Sequence, residues 1–203
     1  MKEVYLAEQS RELYPQVIAE LQNHVQVGFL SGGGDEWARD YMPVPTCPGE
    51  AVQFQFDPPY LKPRQFQHLH TNVAILKYPT ELSVTSHAIV LDGGNVVSDG
   101  KLAILTEQVR MDNPGLQQEA LLSELTRVLR VEQVVLIPWL PGDWTRHADG
   151  MAALVEGWHW FRISAVKAPP FNGTFSGRWG EFHIPKWCCR RTPILATPPL
   201  GCT

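Results

Sequence analysis

Three short stretches place acids and glycines directly after segments that read as strands. DEWARDYMP (35–43) contains Asp40, LDGGNVVSDG (91–100) contains Asp92, and PGDWTRHADGMA (141–152) contains His147 and Asp149. Loops at strand ends are where binding and catalytic side chains concentrate, so we expect these four side chains to meet in one pocket. If the segment is extended, the two-residue spacing of His147 and Asp149 puts both side chains on the same face.

The residues around Asp40 indicate what such a pocket would bind. Trp37 and Tyr41 would form its walls, and carboxylates gathered there cannot all stay ionised without a cation. A planar guanidinium suits them because it donates paired hydrogen bonds to carboxylates and stacks on aromatic rings. The substrate-binding candidates are Asp40, Asp149, Trp37 and Arg39. Arg39 and Asp40 point in opposite directions by the alternation rule, so one faces the pocket and the other braces the scaffold.

A simpler interpretation stays open for each stretch. Asp40 can pair with Arg39 or with a helix terminus, while Asp92 and Asp149 can serve only to make turns before glycines. Each stretch alone favours that interpretation. The three together favour a cation-binding site.

Composition limits the classes of partner. The chain has 203 residues, enough for one globular domain, with a net charge of −4 and no Lys/Arg-rich block, which argues against a nucleic-acid partner. No apolar stretch is long enough to cross a bilayer, and the charged N-terminus lacks the apolar run of a signal peptide. We therefore expect a cytoplasmic protein without a membrane partner.

Cys47 stands alone and three further cysteines fall in the last sixteen residues, a spacing that predicts reduced thiols.

Periodicity predicts several small sheet units connected by helices, hence an α/β or α+β class. Residues 113–130 give the clearest helix, with Asn113 as its N-cap. From Ala168 onward the prolines and the lack of any period predict irregular structure. The other predicted elements are a helix at 10–24, strands at 4–7, 25–30, 51–56, 72–79 and 132–138, strands within 87–105, and a hairpin across 151–166.

Three motifs resemble the agmatine deiminase and Porphyromonas-type peptidylarginine deiminase family. They are WARDYMP (37–43), LDGGNVV (91–97) and HADGM (147–151), which match in order and approximate spacing. The similarity runs from about Lys2 to Val166. It implies the pentein fold, an α/β propeller of ββαβ units around a funnel, with about three blades in a domain spanning 1–167 and an irregular, Pro-rich tail at 168–203.

The resemblance also implies an activity: hydrolysis of a small guanidinium substrate to a ureido product and ammonia, without metal or cofactor. Asp40 and Asp149 would grip the guanidinium, and His147 would act as general acid and base. Asp92 stands where an acid pairs with that histidine. A cysteine thiolate would attack the guanidinium carbon.

Two positions depart from the family pattern. Arg146 stands where members usually have the glycine before the catalytic histidine. The family's catalytic cysteine lies near the C-terminus within a characteristic flanking pattern, and that pattern is absent here. The cysteines near the end of this chain, Cys188, Cys189 and Cys202, are therefore the candidate nucleophiles. The chain is also shorter than family members, which suggests a truncated gene. The sheet edges left open would then be covered by the tail or by a homo-oligomer.

Three functions follow from these observations. The first is an active deiminase, a hydrolase of guanidine C–N bonds that works through a Cys/His/Asp site. The alternative is a truncated, catalytically dead relic that only binds guanidinium compounds. The third, metal-dependent hydrolysis by His147, Asp149 and Asp92, fits less well because three ligands of these types usually include a second nearby histidine.

Overall fold

The first sheet contains two parallel strands joined by two short helices. The computed structural model describes residues 3–77, 82–155, 158–161 and 188–191. Strand β1 (Glu3–Ala7) pairs with β2 (Gln26–Leu30) in parallel. Between them, α1 (Ser10–Leu13) and α2 (Pro15–Gln22) replace the single predicted helix. The break falls at Pro15 because proline cannot donate a hydrogen bond within a helix but is tolerated in its first turn.

The second sheet combines a hairpin with a parallel strand. Strands β3 (Val44–Cys47) and β4 (Glu50–Gln55) are antiparallel, and β5 (Ser83–Val90) lies parallel to β4. The strand predicted at 72–79 is wrong where it is described. Val73–Ile75 forms a 3-10 turn, and the Asn72 side chain accepts a hydrogen bond from its backbone.

The third sheet has the order strand, strand, helix, strand. Strands β6 (Val97–Ser98) and β7 (Leu102–Thr106) are antiparallel, while β8 (Gln133–Ile137) is parallel to β7. Helices α4 (Gln108–Asp112) and α5 (Gln118–Leu129) make the crossover. Parallel neighbours need such a crossover, and it leaves β7 paired on both sides.

Asn113 is buried and does not cap α5 as predicted, because α5 begins only at Gln118. Its side chain accepts a hydrogen bond from the Val90 amide at 3.0 Å, and donates to the carbonyls of Val90 at 2.9 Å and Val109 at 2.8 Å. These bonds tie the last residue of β5 to α4.

The largest hydrophobic core is shared by the second and third sheets. Buried side chains of α5 pack there between strands of both, so the end of β5 is fixed relative to β8. Burying such a set of aliphatic and aromatic side chains is the main stabilising contribution to a domain of this size. The cluster comprises Val44, Val52, Phe54, Ile89, Leu91, Val96, Ala103, Leu105, Val109, Leu121, Leu125, Leu129 and Val131.

The fourth sheet is antiparallel. Strands β9 (Ala152–Val155) and β10 (Trp158–Phe161) form the predicted hairpin, and β11 (Cys188–Arg191) pairs with β10. Four residues of the predicted irregular tail are therefore a strand, and the rest of that tail lies outside the described residues. In total the described chain is a mixed α/β structure of small sheets that do not close into a ring. Within it, no helix is long and apolar enough to span a membrane.

Candidate active site

Three loops bring Asp40, Asp92 and His147 together. Asp40 lies on the one-turn helix α3 (Ala38–Tyr41), Asp92 follows β5, and His147 lies between β8 and β9. The Nε2 atom of His147 is 3.0 Å from Asp92 Oδ2, and its Nδ1 atom is 3.5 Å from Asp40 Oδ1. Both ring nitrogens therefore face carboxylates. The imidazole itself is buried, with only 6% of its side chain exposed.

Two consecutive glycines make this close approach possible. A Cβ atom on Gly93 would overlap the backbone carbonyl of Arg39, and one on Gly94 would overlap Asp40 Oδ1 and lie 2.5 Å from His147 Nδ1. Real Cβ atoms do not approach other atoms so closely, because the van der Waals contact distance is longer. The DGG sequence thus allows the Asp92 loop to pack flat against the loops that carry the other two residues.

Asp149 and Arg39 lie at the edge of this cluster. The Asp149 amide donates a hydrogen bond to the Gly94 carbonyl at 3.2 Å, and its side chain is exposed. Arg39 donates from Nη2 to the Val96 carbonyl at 2.6 Å, so it braces the scaffold, as one of the two predicted arrangements has it. The roles of both residues in binding stay predictions.

The aromatic residues expected to wall the pocket occupy different places. Trp37 stands at the surface, 65% exposed, three residues before Asp40. Tyr41 is fully buried in the core between α3 and the first sheet, where its hydroxyl donates to the Asp35 carbonyl at 3.0 Å. The expectation for Tyr41 is therefore wrong: the single turn of α3 turns its side chain inward, not toward His147.

Tyr60 is the aromatic residue that the structure does place against the site. Its ring meets His147 edge-on, with centroids 6.0 Å apart, and its hydroxyl donates to Asp40 Oδ2 at 3.4 Å. Burial, together with the charges of Asp92 and Asp40, raises the pKa of the Tyr60 phenol, so it stays a neutral donor. Its sequence context, DPPYLKPR, carries no periodicity. The only sequence signal for a role of Tyr60 in the site is a single tyrosine between prolines.

Burial is the main cause of the unusual pKa of the Asp40 carboxyl. It raises the pKa of Asp40 from 3.8 to about 6, and the nearby charges of Asp92, Asp149 and Asp35 act in the same direction, while that of His147 opposes them. Removing a carboxylate from water disfavours its charged form. Near neutral pH the group is therefore an anion whose surroundings are short of positive charge.

His147 experiences the opposite balance. Burial alone would lower the pKa of His147, but the hydrogen bond to Asp92 and the charges of Asp40, Asp92 and Asp149 together raise it above 6.5. A raised pKa favours the protonated imidazolium, the form that can donate a proton. Such a group can donate a proton in one step and accept one in the next.

A cavity of about 640 Å³ adjoins this cluster, and Tyr60 forms part of its wall. Its lining combines aromatic and proline side chains with a few charged groups, among them Arg146, the residue before His147. Asp40, Asp92 and His147 do not line it. The lining consists of Pro59, Tyr60, Pro63, Phe66, Gln108, Met111, Asp112, Trp139, Gly142, Asp143, Trp144, Thr145 and Arg146.

The cysteines divide between described and undescribed parts of the chain. Cys47 is disulfide-bonded, so the prediction of reduced thiols is wrong for this residue. Cys188 and Cys189 lie in β11, where only the backbone is described, and Cys202 lies outside the described residues. Where side chains are described, no group of three or more His, Cys, Asp or Glu residues is arranged to hold a metal ion.

Comparison with known proteins gives the ancestry of this site. A sequence profile of Porphyromonas-type peptidyl-arginine deiminases matches residues 2–159, which include all three motifs. The chain belongs to this family. A search of curated proteins found no sequence that matches this chain.

Solved structures of deiminases share the fold of this family member. A protein assigned as a peptidyl-arginine deiminase is 18% identical with a TM-score of 0.53, covering 76% of this chain and 60% of its own. A substrate-bound agmatine deiminase from C. jejuni is 16% identical with a TM-score of 0.55, covering 76% and 48%. The agmatine deiminase of Enterococcus faecalis is 22% identical with a TM-score of 0.51, covering 76% and 46%. The chain thus spans roughly half of the length of the structures that it matches.

Proposed function

We propose that this chain binds a guanidinium group at Asp40 and hydrolyses its C–N bond to a ureido product and ammonia. Family membership supports a guanidine-modifying activity. The observation that carries the proposal is the charge imbalance at Asp40, a carboxyl with 13% of its side chain exposed that is acted on by one imidazole and three other carboxylates. A guanidinium relieves that imbalance because it is a permanent cation that bonds carboxylates through two parallel N–H groups.

The binding step holds the substrate beside His147. The guanidinium donates to Asp40, and Asp149 at the rim adds a second carboxylate. Holding the central carbon in a fixed position lowers the entropy cost of the reaction that follows. Tyr60 keeps Asp40 in place by donating to its second oxygen.

The first chemical step is attack by a cysteine thiolate on the guanidinium carbon. A C–S bond forms, a C–N bond breaks, and the departing nitrogen takes a proton from His147 to leave as ammonia. Asp92 accepts a hydrogen bond from Nε2 of the same ring, which stabilises the imidazolium before transfer. The proposed source of the thiolate is Cys188, Cys189 or Cys202, and reducing conditions free whichever of them is bonded to Cys47.

The second step releases the product. His147, now neutral, takes a proton from water while the water oxygen bonds to the same carbon. The C–S bond then breaks, which returns the thiolate, and the hydroxyl proton passes to the released ammonia, so that a ureido group and ammonium remain. The overall balance is one guanidinium and one water converted to one ureido product and one ammonium.

Several architectural features belong with this proposal. The sheets would be blades of a partial pentein propeller across 1–167, followed by the Pro-rich segment 168–203, of which β11 pairs with β10. A homo-oligomer would cover the open sheet edges, which otherwise invite pairing with other strands. Light scattering is the test: a species larger than one chain supports the assembly, and a monomer at all concentrations rules it out.

Ammonia release from agmatine and L-arginine tests the activity. We expect turnover by the full chain under reducing conditions, and its loss in His147→Ala and in a variant with Cys188, Cys189 and Cys202 all changed to serine. His87→Gln is the matched control, because His87 also pairs with an acid, Glu124, outside the site. Guanidinium binding without turnover would leave only the noncatalytic relic. Absence of both would overturn the proposal.

A further inference from the structure

The backbone of Arg146 adopts a conformation that an arginine rarely occupies. Its φ is +58°, in the left-handed region where residues with a Cβ are disfavoured. The conformation is fixed by the buried Thr106, whose hydroxyl donates to the Arg146 carbonyl at 2.6 Å. Such strain persists only where the surrounding structure imposes it, and it concentrates at functional sites. A glycine would fit this backbone without strain, so the side chain needs its own explanation.

The Arg146 side chain is held in place by neighbours on the cavity wall. Its Nη1 donates to Gln108 Oε1 at 2.9 Å, and the buried Gln108 in turn donates from Nε2 to Asp112 Oδ1 at 2.7 Å. The guanidinium also lies over the Trp139 ring, 4.7 Å from its centroid. Among the described residues this guanidinium makes one hydrogen bond, which leaves donors of its rigid fork for a ligand.

The rest of the cavity suits a short chain with a charged end. Tyr60, Phe66 and Trp144 give it aromatic walls, against which methylene groups can pack. Two carboxylates also line it, and each already accepts hydrogen bonds. Asp112 accepts from Gln108, and Asp143 Oδ1 accepts from both the amide and the hydroxyl of Thr145.

We propose that Arg146 is a specificity-determining residue, which selects guanidines whose far end carries a carboxylate over those that end in an amine alone. This inference rests on the proposed function. With the guanidinium at Asp40, the chain of the substrate passes Tyr60 into the cavity, and its carboxylate pairs with the free donors of Arg146. Asp112 and Asp143 accommodate an ammonium beside that carboxylate, so an α-amino-acid end fits both signs of charge.

Calorimetry with three ligands tests the inference: L-arginine, agmatine, which lacks the carboxylate, and methylguanidine, which lacks the far end. We expect the full chain to prefer L-arginine to agmatine by about tenfold. Arg146→Gln removes this preference and leaves methylguanidine binding unchanged. Arg110→Gln is the control, since Arg110 is an exposed arginine on α4 that does not line the cavity. Where a ligand turns over, the ratio of kcat/KM values replaces the ratio of affinities.

The outcomes separate this inference from the proposed function. If methylguanidine binds but agmatine is preferred, or if Arg146→Gln keeps the preference for L-arginine, Arg146 does not select the substrate. If none of the three ligands binds, the proposed function and the inference fail together. Arg146→Gly provides a second variant, because it removes the same donors while relieving the left-handed strain. It must lose the preference too, with a melting temperature no lower than that of the unchanged chain.

Discussion

Two clusters that each combine a histidine with acids differ in their charge balance. On the surface, Glu124 on α5 accepts from Arg127 and pairs with His87 of β5, and its hydrogen bonds to Arg127 and then His87 lower its pKa from 4.5 to about 2. In the candidate site, burial raises the pKa of Asp40 to about 6. The surface acid has a permanent cation, Arg127, beside it. The buried acid is surrounded by other acids.

This difference indicates which cluster is built to receive a ligand. Asp40, Asp92 and Asp149 place three carboxylates around one imidazole, and like charges at short range oppose each other. Such an arrangement is stabilised when a cation enters. Glu124 needs no such addition, and the measurements below should separate the two clusters.

Replacing the buried acid should give the largest effect. We expect Asp40→Asn to weaken guanidinium binding by about 100-fold, because it removes one partner of a buried charge pair. The melting temperature should not fall, since the variant also removes a buried charge that lacks a full counter-charge. Calorimetry with methylguanidine beside thermal melts measures both quantities.

The surface acid supplies the control for this variant. Glu124→Gln changes a carboxylate to the corresponding amide outside the site, and it should leave methylguanidine binding unchanged. Equal losses of binding in the two variants would contradict the assignment of the cation site to Asp40.

The packing of the site can be broken without touching its charges. In Gly94→Ala the new methyl would overlap Asp40 Oδ1 and His147 Nδ1. We expect a loss of about 1–3 kcal/mol in the free energy of unfolding, as for other overpacked sites, together with binding weakened by about tenfold or more. Denaturant titration and calorimetry report the two effects.

Gly115→Ala is the matched control for that substitution. Nothing lies within 4 Å of a Cβ built on Gly115, so the same chemical change meets open space. We expect its stability to be unchanged or slightly raised. If both alanine variants bind and unfold alike, close approach at Gly94 is not what shapes the site.

The pH dependence of guanidinium binding tests the role of the Asp40 charge in graded steps. The guanidinium prefers the ionised carboxylate, so protons compete with it once the pH falls below the pKa of Asp40 at about 6. Affinity for methylguanidine should fall by up to tenfold for each pH unit below that value. Calorimetry across this range in the unchanged chain and in Asp40→Asn is the measurement. The slope should vanish in the variant, and a slope that persists there would assign the titration to another group.

The convergence of Asp40, Asp92 and His147 could be predicted because it depends on local signals. Each residue follows a strand with clear periodicity, and the glycine pair beside Asp92 indicates close backbone approach. The place of Tyr60 could not be predicted, because a 3-10 turn between prolines has no period, and only long-range packing brings it to His147.

The errors in the predicted secondary structure have similar causes. Helix α4 is five residues long, too short for a helical period to be visible, so the sequence pattern places Asn113 at the start of the next helix. An asparagine suits an N-cap and a buried backbone partner equally well, and the choice depends on β5, which is distant in sequence. The apolar run at 72–79 resembles a strand, but Asn72 instead caps a 3-10 turn over its described residues.

The smallest expected effect lies in the surface cluster. The pKa of Glu124 is lowered in the folded state, so its contribution to stability is fully present above pH 4.5 and is lost as the pH falls toward 2. Glu124→Gln should lower the melting temperature slightly near neutral pH, less so at high salt because exposed pairs are screened. Below about pH 2 the two proteins should melt alike. Glu132→Gln, an exposed acid just beyond α5, is the control. If Glu124→Gln lowered the melting temperature near neutral pH more than Gly94→Ala does, the comparison would be reversed. The surface cluster would then stabilise the fold more than the packing around the candidate site.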